Sequence, residues 1–303
     1  MNTNKLKIYE DINQLFIDIL DKKDSGQIKA LFDFLKKNPQ HSPFNDVLVF
    51  AQQPDCVYYM TADQWISLHQ HQIKNDAKPM VILYPFGPIR FVYSLRDTEK
   101  IHTEQNSLFK DSNVIHPFDN EDHLSWWRES KNNSITKNTF NKTIKRLFND
   151  YQIPLVYKDA KQYLKYDTLS TAGFAHGNNV GVKEITLHPR YNTITEDNIV
   201  EAYGVLVHEI AHIFMGHLGK VTYSVKRQDV TRDIALCDDR TYLSKQVIEL
   251  EAELTAWLVF NRFGINKNSV DYMGSWLTKD DYWHKIDFSQ TLRISNTIFE
   301  MKN

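Results

Sequence analysis

HEIAHIFMGH, residues 208–217, sets two histidines four apart, with a glutamate after the first, in a run that is otherwise largely apolar. Ionisable side chains in an apolar helix are costly to bury without a partner. From Ile199 to Leu218 there is no proline, and Val200, Tyr203, Val207, Ile210, Phe214 and Leu218 recur at the helical period. Thr195 is placed as the N-cap, ahead of acidic Glu196 and Asp197, and Gly219 as the C-terminal stop. Residues four apart on a helix lie one turn above each other on one face. His208 and His212 can therefore bind one ion through neutral imidazole nitrogens, with Glu209 reaching a water on that ion. A catalytic zinc takes three protein ligands and keeps one open position, where it lowers the pKa of water to about 7. The competing reading is a helix whose half-exposed polar face happens to carry two histidines.

The third ligand tests the motif. One class of such helices carries glycine three residues, and histidine six residues, after the second histidine; here those positions are Met215 and Leu218, which excludes it. His217 lies five residues past His212, about 140° around a continued helix, and is expected not to converge with the pair. A glutamate on a later helix is the other solution. Residues 245–263, KQVIELEAELTAWLVFNRF, carry an apolar stripe of Val247, Leu250, Leu254, Leu258 and Val259. A second face holds Glu249, Ala252, Glu253 and Ala256, acidic and small. The alanines permit close approach while Glu249 reaches the ion. Glu253, one turn on, is placed to accept the N–H of a ligand histidine. Glu251 points roughly 200° away from Glu249 and is the weaker candidate. Alone, this segment also reads as an exposed acidic helix face.

HEIAHIFMGH followed by ELEAELTAWLV resembles the ImmA/IrrE class of metallopeptidases, whose pattern is H-E-x-x-H…G-H and later E-x-x-A. The chain is also similar to the anti-restriction ArdC group, which joins such a domain to an N-terminal single-stranded-DNA-binding domain. NDVLVFAQQPDCVYYMTADQW (45–65) and KPMVILYPFGPIRFVYSLRDTE (78–99) resemble that N-terminal domain. SVDYMGSWL (269–277) resembles a segment that follows the metal helices. The likeness covers most of the chain, but only the metal motifs are specific. One departure is the turn SLHQHQIKNDAKP (67–79), which has two lysines and no glycine where the group carries a Gly- and Lys-rich turn. The resemblance implies a bound Zn2+, a protein or peptide substrate, and single-stranded DNA as a partner of the first domain.

With 303 residues, 42% hydrophobic and 13% aromatic, the chain can bury a sizeable core in two domains or one large one. Cys56 and Cys237 match no zinc or redox spacing and read as free thiols of a reducing compartment. The first residues carry charges throughout and read as no signal peptide, and no apolar run approaches the roughly 20 residues of a membrane span. Cytoplasm is the expected location, with no membrane partner. Residues 1–125 hold 13 Lys and Arg against 17 Asp and Glu, whereas residues 126–182 hold 9 against 4. Phosphate neutralisation needs local basic charge, which the first part lacks. Its aromatics Tyr58, Tyr59, Trp65, Tyr84, Phe86, Phe91 and Tyr93 can stack on bases, but at strand spacing they read equally as core. The better electrostatic candidates are Arg128, Lys131, Lys142 and Arg146, unless these cover a solvated linker and helix surface.

The fold class is α+β: a small N-terminal α+β domain over 1–125, including part of a polar linker, then a zincin-like metallopeptidase domain over 126–303. Helices are expected at 5–22, 26–38, 44–53 and 61–71, with strands at 56–60, 79–84 and 89–94. The second domain begins with a helix at 138–149 and strands at 153–158 and 179–189. VGVKEITLH is the segment expected to pair with an extended peptide. Residues 219–244 read as a polar loop that overhangs the cleft or as irregular surface. In this reading His208, His212 and Glu249 hold zinc, Glu209 activates the attacking water, and Tyr272 is the candidate oxyanion donor, with core packing as its alternative. The rival is a single-stranded-DNA-binding factor whose metal site is structural or vestigial. Intact Glu209 argues against that, because a structural site needs ligands but no base.

Overall fold

A computed structural model of the chain describes residues 10, 13–14, 17–18, 25–83, 89–101, 134–164, 172–177, 183–227, 230–265 and 285–303. It divides into two units, Asp24–Asn132 and the pair of stretches Met1–Lys23 with Asn133–Asn303. The expected division at 125/126 differs in where the first residues belong. Asn13 accounts for this: its Nδ2 donates to Asp287 Oδ1 (3.1 Å), and its Oδ1 accepts from Ser289 N (2.7 Å). Both units mix helices and strands. Among the described residues no helix is long and apolar enough to cross a membrane.

In the unit Asp24–Asn132, α1 (Ser25–Lys37) buries Leu31, Phe32, Phe34 and Leu35, and packs on α2 (Pro43–Gln52). Ser42 caps α2 by accepting from Asn45 N, with Pro43 in the first turn, where its missing N–H costs nothing. After β1 (Tyr59–Met60), Thr61 and Gln64 form a reciprocal capping box that starts α3 (Ala62–His69), within the helix expected from residue 61. Strands β3 (Met80–Ile82) and β4 (Arg90–Ser94) join β1 in an antiparallel sheet of order β1-β4-β3. Trp65 Nε1 donates to Tyr93 O (2.9 Å) and Tyr59 Oη to Asp46 Oδ1 (2.8 Å), so both rings are core. Phe91 instead stands exposed, and Tyr84 and Phe86 lie outside the described residues. The stretch read as a turn contains β2 (His71–Ile73), paired with β5 (Thr98–Lys100). Gln70 closes α3 with φ 54°, doing without the glycine that this conformation favours.

The second unit starts with α4 (Lys137–Tyr151), whose Phe140, Thr143 and Leu147 are buried. Strand β6 (Leu155–Val156), the short α5 (Ala160–Tyr163), β7 (Gly173–Gly177) and β8 (Lys183–Leu187) follow. The sheet order is β6-β8-β7, parallel between β6 and β8 and antiparallel between β8 and β7. This corrects the expectation for VGVKEITLH: β8 has neighbours on both sides, so among the described strands the edges of this sheet are β6 and β7. Ile185 and Leu187 of β8 pack under α6 (Ile199–Phe214), the helix of the histidine motif. Gly173 explains how close β7 comes, because a Cβ there would lie 2.6 Å from Val205 Cγ1 of α6.

Both ends of α6 differ from expectation. Thr195 Oγ1 accepts from Asn198 N (3.3 Å) and Thr195 N donates to Asn198 Oδ1 (2.8 Å), which caps a turn before the helix proper. The stop is Gly216, three residues before the expected Gly219. Residues 219–244 contain an antiparallel hairpin of β9 (Val221–Arg227) and β10 (Val230–Cys237), with Val221 and Cys237 in the core. α7 (Lys245–Arg262) then crosses α6, and Ala252 and Ala256 sit in the same buried cluster as Val207, Ile210 and Ala211. Small side chains there let two helix backbones approach closely. α8 (Phe288–Glu300) covers α7 with buried Leu292 and Ile294.

Gly173→Ala should destabilise the protein by about 1–3 kcal/mol, the usual cost of overpacking. Adding Val205→Ala should return part of that loss in urea unfolding. Unchanged stability of Gly173→Ala, or no recovery in the double variant, would show that β7 and α6 are not held at this spacing.

Candidate metal centre

α6 and α7 bring three ligand atoms together. His208 Nε2 and His212 Nε2 lie 3.1 Å apart, and Glu249 Oε2 is 3.4 Å from the first and 3.7 Å from the second. Tetrahedral zinc with bonds of about 2.0–2.2 Å spaces its ligand atoms about 3.3–3.6 Å apart, so the triangle is within about 0.2 Å of that size. The donor set, two imidazole nitrogens and one carboxylate oxygen, also suits that ion. The arrangement follows from helix geometry. His208 and His212 stack one turn apart on α6, and the small face of α7 lets Glu249 reach both. Glu253, one turn beyond Glu249, has Oε2 3.5 Å from His208 Nδ1, on the side of the ring away from the cluster. Glu209 is buried and lines the same cavity as the three ligands.

The local field favours a cation. Burial pulls His208 down, but hydrogen bonds to Glu249 and Glu253 and the charge of Glu209 outweigh it and push the ring up to about 9. Burial lowers His212, and the neighbouring His208 and His217 add to this against the pull of Glu249. The neighbouring imidazoles, His208 first and then His212, hold Glu249 far below the usual carboxylate range. Three carboxylates thus surround the two imidazoles, a setting that favours positive charge.

His217 is closer than a continued helix would put it. α6 ends at Phe214, and Gly216 takes φ 82°, a left-handed conformation suited to glycine. His217 N then donates back to His212 O (3.0 Å), as in a Schellman turn. A Cβ on Gly216 would sit 2.1 Å from Asp238 O, so the turn excludes other residues twice over. The bend swings the His217 ring back until its Nδ1 is 3.0 Å from His212 Nδ1. Its Nε2 is 2.8 Å from Glu251 Oε2.

Glu251 does point away from Glu249, as helix angle requires, but into a buried polar cluster. Arg240 NH1 donates to Glu251 Oε2 (2.7 Å) and Arg240 NH2 to Oε1 (2.6 Å), while Asp287 N donates to Oε1 (2.7 Å). Burial disfavours the charge on Arg240, and its hydrogen bonds to Glu251 more than restore it. Arg240 is the residue that sequence reading missed, and Glu251 enters it only as the weaker ligand candidate. Arg240 sits in a polar loop, and only the need of a buried Glu251 for a cationic partner would have signalled it.

A cavity of about 890 Å³ opens over the cluster. It is lined by Gly173, Phe174 and Ala175 of β7, by Val200, Glu201, Gly204 and Val205 of α6, and by Lys245 and Ile248 of α7. Among the described residues, none of β9 or β10 is in its lining. Tyr272, Arg128 and Lys131 lie outside the described residues. Lys142 is exposed on α4. Arg146 is engaged within the unit, pairing with Asp150 (3.3 Å) and donating to Glu300 O (3.0 Å) at the end of α8. Comparison of the chain with protein-family models, with curated proteins and with solved structures gives no match.

Wild-type protein loaded with zinc and dialysed should carry about one ion per chain. Glu249→Ala, His208→Ala and His212→Ala should each lose most of it, and Glu253→Ala a smaller part, measured as zinc per chain by elemental analysis. Full zinc content in Glu249→Ala would reject the α7 ligand.

Proposed function

We propose that this chain is a zinc-dependent peptidase of the zincin type, consistent with its resemblance to the ImmA/IrrE and ArdC groups. The observation that carries this reading is the convergence of His208 Nε2, His212 Nε2 and Glu249 Oε2 in one cavity with a buried glutamate, Glu209. A structural zinc is closed by four protein ligands, whereas a catalytic one keeps a position open. Here three side chains converge on the wall of a cavity large enough for a peptide segment.

His208, His212 and Glu249 would hold the ion. A zinc ion held there supplies a Lewis acid for the carbonyl oxygen and a water acidified to a pKa of about 7. Glu209 follows His208 directly, so its carboxylate leaves the helix turned from the ligand pair towards the cavity. It would take the proton of the attacking water and deliver it to the leaving amine. Glu253 would accept from His208 Nδ1 and keep that ring's Nε2 aimed at the ion. The edge of β7 beside the cavity would supply backbone groups to an extended substrate, so that main-chain pairing binds peptides with little demand on their side chains.

Glu209→Gln keeps the shape and removes the base. Zinc should remain near one per chain while cleavage of a peptide library cut by the wild type falls on the order of a hundred- to ten-thousand-fold. Undiminished cleavage by Glu209→Gln at normal zinc content would overturn this mechanism.

A further inference from the structure

Building on the metal reading above, we infer that Glu251 and His217 form a buried relay that fixes the tautomer of His212, so that His217 is a positioning residue for the metal centre. The inference starts from Glu251. Its side chain and that of His217 are completely buried. The carboxylate accepts from both terminal nitrogens of Arg240 and from Asp287 N, groups that can only donate. An ionised carboxylate only accepts, so the 2.8 Å contact with His217 requires the proton to sit on His217 Nε2. A singly protonated ring that donates from Nε2 has a bare Nδ1.

The next contact follows from the first. His217 Nδ1 and His212 Nδ1 are 3.0 Å apart, and one of them must donate. With the His217 nitrogen bare, His212 Nδ1 carries the proton. His212 Nε2 is then a lone pair, and that is the atom facing His208 Nε2 and Glu249. Arg240 thus dictates, through one carboxylate and one imidazole, which nitrogen of His212 is free to ligate. The reverse orientation, with a proton on His217 Nδ1, would make His212 an Nε2–H tautomer and point a donor at the ion.

The two ligand histidines are therefore supported differently. His208 Nδ1 meets a partly exposed Glu253 at 3.5 Å, whereas His212 Nδ1 meets a buried chain with contacts of 3.0 and 2.8 Å. Partners of this kind around metal-bound histidines typically change metal affinity about 10- to 100-fold when removed. The tighter support should matter more.

The test is zinc binding by the full chain, in competition with a chromophoric chelator, for wild type, His217→Leu and His217→Asn. His217→Leu removes the acceptor at similar volume and should weaken zinc at least about tenfold, by the same precedent. His217→Asn places Oδ1 where Nδ1 was and should recover most of that loss even if its melting temperature stays below the wild type's. A purely structural His217 would lower melting in both variants and leave zinc affinity unchanged, or weaken it equally in both; either result overturns the relay. Nitrogen-15 spectra of the histidines in the wild type read the tautomer directly, whether or not the variants fold. His217 protonated at Nε2 and bare at Nδ1 is expected, and a proton on Nδ1 overturns the inference. Wild-type protein that takes up no zinc would instead bring down the metal reading, a result distinct from equal affinity in wild type and His217→Leu.

Discussion

The second unit is organised around one buried ion pair. Glu251 lies in the middle of α7, and Arg240 comes from the loop between β10 and that helix. A carboxylate taken out of water is costly, and removing one partner of such a pair typically destabilises by about 3–5 kcal/mol because the other is left uncompensated. The cost makes the pair a constraint: the structure is stable only where Arg240, His217 and the Asp287 amide all reach the same two oxygens. Three separate segments are thereby pinned to α7. They are the turn that ends α6, the loop that follows the hairpin, and the start of α8. Asp287 extends this to Asn13, which brings the opening residues of the chain into the same unit.

Close approach is the second condition, and small residues provide it. Gly173 lets β7 lie against Val205, and Ala252 and Ala256 let α7 lie against α6. The ligand triangle depends on both contacts. Glu249 has too short a reach to serve two histidines on a neighbouring helix unless the backbones are near, and β7 forms a cavity wall only by lying close to the histidine face. The same spacing leaves nowhere for larger side chains to adjust, so the cavity is shaped by backbone positions more than by side-chain packing.

What was legible in the sequence was whatever a regular period governs. The histidine pair, its placement on one helix face, and Glu249 and Glu253 one turn apart on a second helix all follow from 3.6 residues per turn. The start of a helix near Thr61 is equally local. Extrapolation failed where the period stopped. His217 was projected to about 140° from His212 on a helix that in fact ends at Phe214, and the left-handed turn at Gly216 carries it back. Strand β7, GFAHG, is five residues long with a glycine at each end and a histidine inside, and offers no alternation to read. Its absence from the sequence reading made β8 look like the edge. The hairpin of residues 221–237 was hidden by its charges, which favoured a loop over paired strands.

Burial of the supports grades the three ligand positions. His212 is held from behind by groups that water does not reach. His208 is held by Glu253 at longer range and with some exposure. Glu249 has a side chain 45% exposed and faces the cavity, so solvent competes with both its histidine contacts. Solvent access therefore rises from His212 to His208 to Glu249, across the cluster and towards the open side. Under the proposed function, an ion held here would find its most yielding partner in the carboxylate of Glu249, while the imidazole tied to Glu251 would keep the frame of reference for the other two.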